Sequence, residues 1–187
     1  MTVHAMNLPQ YNPNAQDGSA YTLLGAERFA RVAEYAGERG VKMSLENMEF
    51  PQKEMLSLLR FLEARGLGDA IGVTYDVGHW NCYPCDLDFA EAFGKYLIGT
   101  HVHDNFGQTD PTIITWKDDC HLLPFDGTLD YRSVANTLKR CDYHGSIMLE
   151  ISRKEPAAWD SENVAEQFFR TAYERACRVA ELCESAF

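Results

Sequence analysis

The stretch "GTHVHDN", residues 99–105, sets two histidines and an aspartate within four positions at the end of an apolar run. On an extended chain His101 and His103 point to the same face, so either could offer an imidazole nitrogen to a cation. Three other apolar runs close on an acid: "SLEN" carries Glu46, "VTYD" carries Asp76 and "IMLE" carries Glu150. With "THVH" closing on His103, four runs in succession end in an oxygen or nitrogen ligand. If those runs are neighbouring parallel strands, the four side chains converge. Three carboxylates brought together without a cation repel one another and raise one another's pKa, a cost that a divalent ion removes. A set of Glu, Asp, His and Glu suits Mn²⁺, Mg²⁺, Co²⁺ or Zn²⁺, because carboxylates favour the hard ions and imidazole widens the range.

The elements that must position these groups alternate between short β-rich runs and amphipathic helices. "MTVHAM" (1–6) reads as a clipped strand, followed by a polar loop rich in turn formers over 8–21. Residues 23–40 carry Leu23, Phe29, Val32, Ala33 and Ala36 at helical spacing, and Gly40 suits the stop. Strand 41–48, helix 53–66 and a strand-then-loop over 70–80 come next, then helix 88–96 and strand 97–105. A long loop (106–127) leads to helix 131–145, strand 146–152 and a terminal helix over 162–184. Strands alternating with helices predict parallel pairing and an α/β fold, with the working residues at the C-terminal strand ends. No GxGxxG or GxxxxGK[ST] follows any strand, so the sequence gives no support to a dinucleotide site or a P-loop.

The 187 residues suffice for one domain with a sizeable core, and 45% hydrophobic with 12% aromatic residues fits a globular chain. No apolar run approaches a membrane span, and no charged-then-apolar leader opens the chain, so the expected location is cytoplasmic. A net charge of −11 counts against a nucleic-acid partner, since an acidic surface repels phosphodiesters. Of six cysteines, Cys82 and Cys85 form a CxxC with no second pair at zinc-ribbon distance. Cys177 and Cys183 are expected as small core-facing residues of a helix, and all six as reduced thiols.

Taken together, "LEN", "YDVGHW", "HVHDN", "DDCHLLPFDGTLDY" and "IMLEIS" resemble the xylose isomerase-like, or AP-endonuclease-2-like, TIM barrels of the sugar phosphate isomerase/epimerase superfamily. The likeness runs over about residues 1 to 184, and the order and spacing of five motifs carry it. It implies metal ligands Glu46, Asp76, His103 and Glu150, taking the second histidine of HxH, with His101 a hydrogen-bonding group behind them. The same likeness implies that His79, three residues after Asp76, contacts substrate or a further metal. Asp119 and His121 form the Asp-x-His pair that in the endonuclease branch holds an extra zinc, and His4 falls where that branch has another histidine. Trp80, Phe106 and Trp116 are either pocket walls or packing, and His144 is read as a solvated residue at a helix end.

The family barrel needs eight strand–helix units, about 250 residues. Here the first recognisable strand resembles the family's fourth, which leaves a partial barrel of about five parallel strands with helices, in one domain over 1–187. Completion by a second copy of the chain is one way to cover the open edges. The resemblance implies a divalent-metal-dependent sugar, sugar-phosphate or polyol isomerase or epimerase. It would abstract an α-proton by way of a metal-stabilised enediolate, with Glu46 and Glu150 also serving as general base and acid. The alternatives are an AP-endonuclease-like multi-zinc phosphodiesterase and an inactive half-barrel.

Overall fold

A run of β-branched and small residues such as "IGVTYD" cannot bury itself alone; it must pair. In the computed structural model, which describes residues 1–4, 23–48, 52–83, 85, 87–110, 112–115, 118–152 and 162–186, it pairs as predicted. Strands β1 (Thr2–Val3), β2 (Met43–Glu46), β3 (Ile71–Asp76) and β4 (Leu97–His101) form one sheet in the order β1-β2-β3-β4. The pairing of β1 with β2 and of β2 with β3 is parallel, with Leu45 opposite Val73 and Glu46 opposite Thr74. The chain divides into two compact units, Met1–Tyr75 with Cys85–Gly99, and Asp76–Pro84 with Thr100–Phe187.

In the first unit, β2 and β3 are buried along their whole length, as parallel strands are. Alternation separates their side chains: Met43, Leu45, Ile71 and Val73 belong to the apolar core, while Ser44 and Glu46 fall on the other face. On that face Ser44 Oγ meets Thr74 Oγ1 at 2.7 Å, and Thr2 Oγ1 stands 3.3 Å from the same oxygen. Helix α1 (Leu23–Gly37) ends three residues before the Gly40 stop, which lies beyond it at φ 68°. Helix α2 (Gln52–Ala64) buries Met55, Leu58, Leu59 and Leu62, the i, i+3, i+4, i+7 stripe that its sequence spelled. Helix α4 (Phe89–Phe93) closes the unit and packs the Phe89 ring 4.0 Å from that of Tyr75. It runs on into a 3₁₀ turn over 94–96, where Lys95 and Tyr96 both reach Glu63 of α2.

The second unit holds α3 (Val77–Cys82), α5 (Tyr131–Arg140) and α6 (Glu162–Ala186). Residues 77–82, expected as loop, are helical because Asp76 caps them: its Oδ1 accepts from the His79 N–H at 2.6 Å. Asp130 does the same for α5, whose stripe of Tyr131, Val134, Ala135 and Leu138 is buried as α5 packs on α6. The expected strand 146–152 is reduced to a single parallel bridge between Leu149 and Val102. Through it Val102 N–H donates to Met148 O at 2.8 Å, and Glu150 N–H to Val102 O at 3.1 Å. Cys177 and Cys183, expected in the core, are half-exposed, and Trp116 lies outside the described residues. Among the described residues no helix is long and apolar enough to cross a membrane.

Candidate metal centre

Asp76 ends β3 and starts α3, so one residue fixes both the strand mouth and the first turn beyond it. That turn sends His79 back over the carboxylate, with Nδ1 3.6 Å from Asp76 Oδ1 and Nε2 3.3 Å from Asp119 Oδ2. Between them Gly78 makes room for His103. A Cβ at position 78 would lie 2.0 Å from the His103 ring, so only glycine fits.

His103 is fully buried, its Nε2 3.1 Å from Asp76 Oδ1 and 3.8 Å from Asp119 Oδ1. Its ring lies face to face with that of His121, centroids 3.8 Å apart and planes within 9°. His121 sits at φ 48°, in the left-handed region, and its Nδ1 is 2.9 Å from Glu150 O. His79, His103, Asp119 and His121 each offer one ligand atom, all within 4.8 Å of one another.

A second group adjoins the first through Asp76. His101 Nδ1 stands 2.8 Å from Glu150 Oε2 and 3.9 Å from Asp76 Oδ2, and the three residues again offer atoms within 4.8 Å of one another. The structure therefore divides the HxH pair differently from the sequence expectation. His101, placed behind the ligands by that reading, is beside Glu150 and within 3.9 Å of Asp76, while His103, nearer still to Asp76, also faces the His79–Asp119–His121 group. The expected depths are also reversed, with the His103 side chain fully buried and that of His101 15% exposed. Both rings still face Asp76, as alternation along the chain predicts; what separates them is their other neighbours, Glu150 beside His101 and Asp119 and His121 beside His103.

Glu46 belongs to the first unit, buried at the end of β2 with His4 Nε2 2.8 Å from its Oε2. Of the aromatic candidates, Phe106 is exposed and Trp80 half-buried. His144 is exposed, as expected, and stands 3.1 Å from Asp142.

The electrostatics favour ionised carboxylates. Contact with His101, against the opposing effect of burial, holds the Glu150 carboxyl down at about 2. Burial alone would raise the Asp119 carboxyl, but His121 and His79 outweigh it and hold it below the usual range. Asp119 in turn raises His121 above an ordinary imidazole.

A cation fits both groups. His103 Nδ1 has no hydrogen-bond partner among the described residues, although the ring is sealed from solvent, and its Nε2 faces the Asp76 carboxylate. A buried polar group left so costs about 1–3 kcal/mol, which coordination of one nitrogen would offset. Three imidazoles and a carboxylate at His79, His103, His121 and Asp119 are the donor set of a borderline ion such as Zn²⁺ or Co²⁺. Two carboxylates and one imidazole at Asp76, Glu150 and His101 also admit Mn²⁺ and Mg²⁺.

Sequence reasoning missed Gly78, Asp104 and Asn105 as parts of this centre. The dipeptide "DN" directly after the second histidine was the available signal, since short buried polar side chains there must find backbone partners.

A family model described as xylose isomerase-like TIM barrel matches residues 1–181. The uncharacterized protein y4fM of Sinorhizobium fredii is 33% identical over 160 residues, 84% of this chain and 47% of that protein. Among solved structures, a D-tagatose 3-epimerase-like protein superposes with a TM-score of 0.60 at 22% identity, covering 93% of this chain and 63% of its own. The IOLI protein, solved with a bound zinc atom, gives 0.66 at 18% identity over 87% of this chain and 56% of its own. The chain thus spans under half the length of the curated relatives it matches.

Proposed function

Because the chain belongs to the family of xylose isomerase-like TIM barrels, we propose that it acts in divalent-metal-dependent isomerisation or epimerisation of a sugar, sugar phosphate or polyol. The observation that carries this reading is the convergence of Asp76, His101 and Glu150 within 4.8 Å. A divalent cation held there would polarise the carbonyl and the neighbouring hydroxyl oxygen of a substrate and so acidify the hydrogen on the hydroxyl-bearing carbon, α to the carbonyl. The zinc atom in the IOLI neighbour and the epimerase-like character of another neighbour support that reading.

The protein's own groups supply orientation and proton transfer. The His79 N–H fixes one Asp76 oxygen. His101 keeps Glu150 ionised. A carboxylate held near pKa 2 is a weak base at neutral pH, which favours Glu150 as ligand first and proton carrier second. Glu46 enters the proposal from the sequence resemblance, as the other proton-transfer carboxylate.

A second reading, a multi-zinc phosphodiesterase, is favoured by the His79–His103–Asp119–His121 group and opposed by the charge of −11. Solvent-proton exchange decides between them. Protein loaded with Mn²⁺, Mg²⁺, Co²⁺ or Zn²⁺ is incubated in D₂O with ketoses, ketose phosphates and inososes. Deuterium entering the α-position, lost in Glu150→Gln, supports the isomerase reading. No exchange with any cation, together with cleavage of an abasic-site phosphodiester, replaces it by the second.

A further inference from the structure

His103 is followed at once by two fully buried polar residues, Asp104 and Asn105, that the proposed chemistry does not use. Both oxygens of the Asp104 carboxylate accept from backbone amides, two of which, those of Phe125 and Leu129, follow Asp119 and His121 in the chain. Oδ1 accepts from Asn105 N–H at 2.8 Å and from Leu129 N–H at 3.1 Å, and Oδ2 accepts from Phe125 N–H at 2.9 Å. The backbone of Asp104 also exchanges two hydrogen bonds with Leu122, the residue after His121, at 2.8 and 2.9 Å. Asn105 extends the arrangement to the other side. Its Nδ2 donates to Gly78 O at 2.8 Å, its Oδ1 accepts from Asn81 Nδ2 at 2.8 Å, and its backbone carbonyl accepts from Thr128 N–H at 2.9 Å.

The loop so held is under strain. His121 and Phe125 both have positive φ, at 48° and 72°, a conformation that a side-chain-bearing residue keeps only when its surroundings impose it. Gly127 lets the loop come this close. A Cβ there would lie 2.3 Å from Asp104 Oδ1 and 2.2 Å from Asn105 O.

We propose that Asp104 is the positioning residue of the His79–His103–Asp119–His121 group: its carboxylate, bonded to the Phe125 and Leu129 amides, holds His121 stacked on His103. The role rests on the cation-site reading only for its metal readout, because the loop geometry exists without an ion. Three amide donors aimed at one carboxylate require an acceptor on both oxygens. Asparagine keeps the size but turns an N–H₂ toward one of those amides, donor against donor.

The test is Asp104→Asn in the full chain, read by amide exchange, by the His121 ring resonances and by titration with Co²⁺. Expected are an unchanged far-UV spectrum, exchange at Phe125 and Leu129 faster by about tenfold or more, a shifted His121 ring, and a second Co²⁺ equivalent weakened by a similar factor while the first is unchanged. Wild-type exchange rates and both Co²⁺ affinities in the variant would overturn the proposal. Should the wild type take up only one equivalent, the cation reading of the group falls. Exchange and the His121 ring then decide alone, unchanged values overturning the positioning role and changed ones supporting it. Asp104→Glu, which keeps both acceptor oxygens, separates loss of the carboxylate from loss of the fold. Exchange at Phe125 and Leu129 and the His121 ring resonances should lie closer to wild type in it than in Asp104→Asn, and no recovery would overturn the proposal.

Discussion

The rings of His103 and His121 lie 3.8 Å apart and nearly parallel, with Asp119 Oδ1 3.8 Å from one Nε2 and 3.5 Å from the other. Contact with Asp119, against the opposing effect of burial, raises the His121 pKa above that of an ordinary imidazole.

A pH dependence of stability follows for the metal-free protein. The folded pKa of His121 lies above its unfolded value, because of Asp119 and despite burial. That contribution is fully present below the ordinary imidazole value, about 6.5, and is lost as pH rises through the folded pKa. His121→Gln removes it. The difference in Tm between wild type and variant should be largest near pH 6 and shrink toward pH 9. A difference that grows with pH would contradict the assignment.

Asp118 gives the opposite sign. Its carboxylate accepts from the amides and hydroxyls of Thr109 and Thr115, with the Thr109 hydroxyl contributing most, and its pKa falls to about 2. The stability it contributes is present above its unfolded value near 3.8 and is lost as pH falls toward 2. Asp118→Asn should therefore lower Tm at pH 7, and its Tm should converge with that of the wild type as the pH approaches 2, measured by thermal melts across that range.

Gly78 tests the packing on which the centre depends. In Gly78→Ala the new methyl group would overlap the His103 ring, which has the Asp76 and His121 side chains around it and no solvent to enter. Overpacking of this kind costs about 1–3 kcal/mol. The denaturation midpoint in urea should fall accordingly, and the His103 ring resonance should move. An unchanged midpoint would mean that the ring can leave its place freely.

Much of this centre was legible in the sequence because it lies where strands stop. Asp76 is the last residue of β3, and an apolar run closing on an acid marks such an end directly. Asp119 and His121 were legible as an Asp-x-His pair, and the structure brings them to His79. What could not be read was which histidine of "HVHDN" goes where. That depends on partners distant in the chain: Glu150 beside His101, and Asp119 and His121 beside His103. The α3 turn escaped for a related reason. Six residues carry too little periodicity to show a helix, and the Asp76 cap that starts it doubles as a candidate ligand.

The two histidines give the sharpest test, since the structure puts them in different groups that share Asp76. His101 Nδ1 touches Glu150 and faces Asp76 Oδ2, while His103 Nε2 faces Asp76 Oδ1 and Asp119. Removing one imidazole ligand from a site typically weakens it by about tenfold to a hundredfold, on the scale seen even for groups that only orient a ligand. His101→Ala should therefore abolish α-proton exchange in D₂O and weaken the cation bound beside Glu150, while the His79–Asp119–His121 group keeps its own. His103→Ala should do the reverse, leaving exchange within a few-fold of wild type and losing the other equivalent in a Co²⁺ titration. If exchange instead survives His101→Ala and vanishes in His103→Ala, the second histidine is the working ligand of the Asp76–Glu150 pair, as the sequence resemblance implied, and the division drawn from the contacts with Glu150 and Asp119 is wrong.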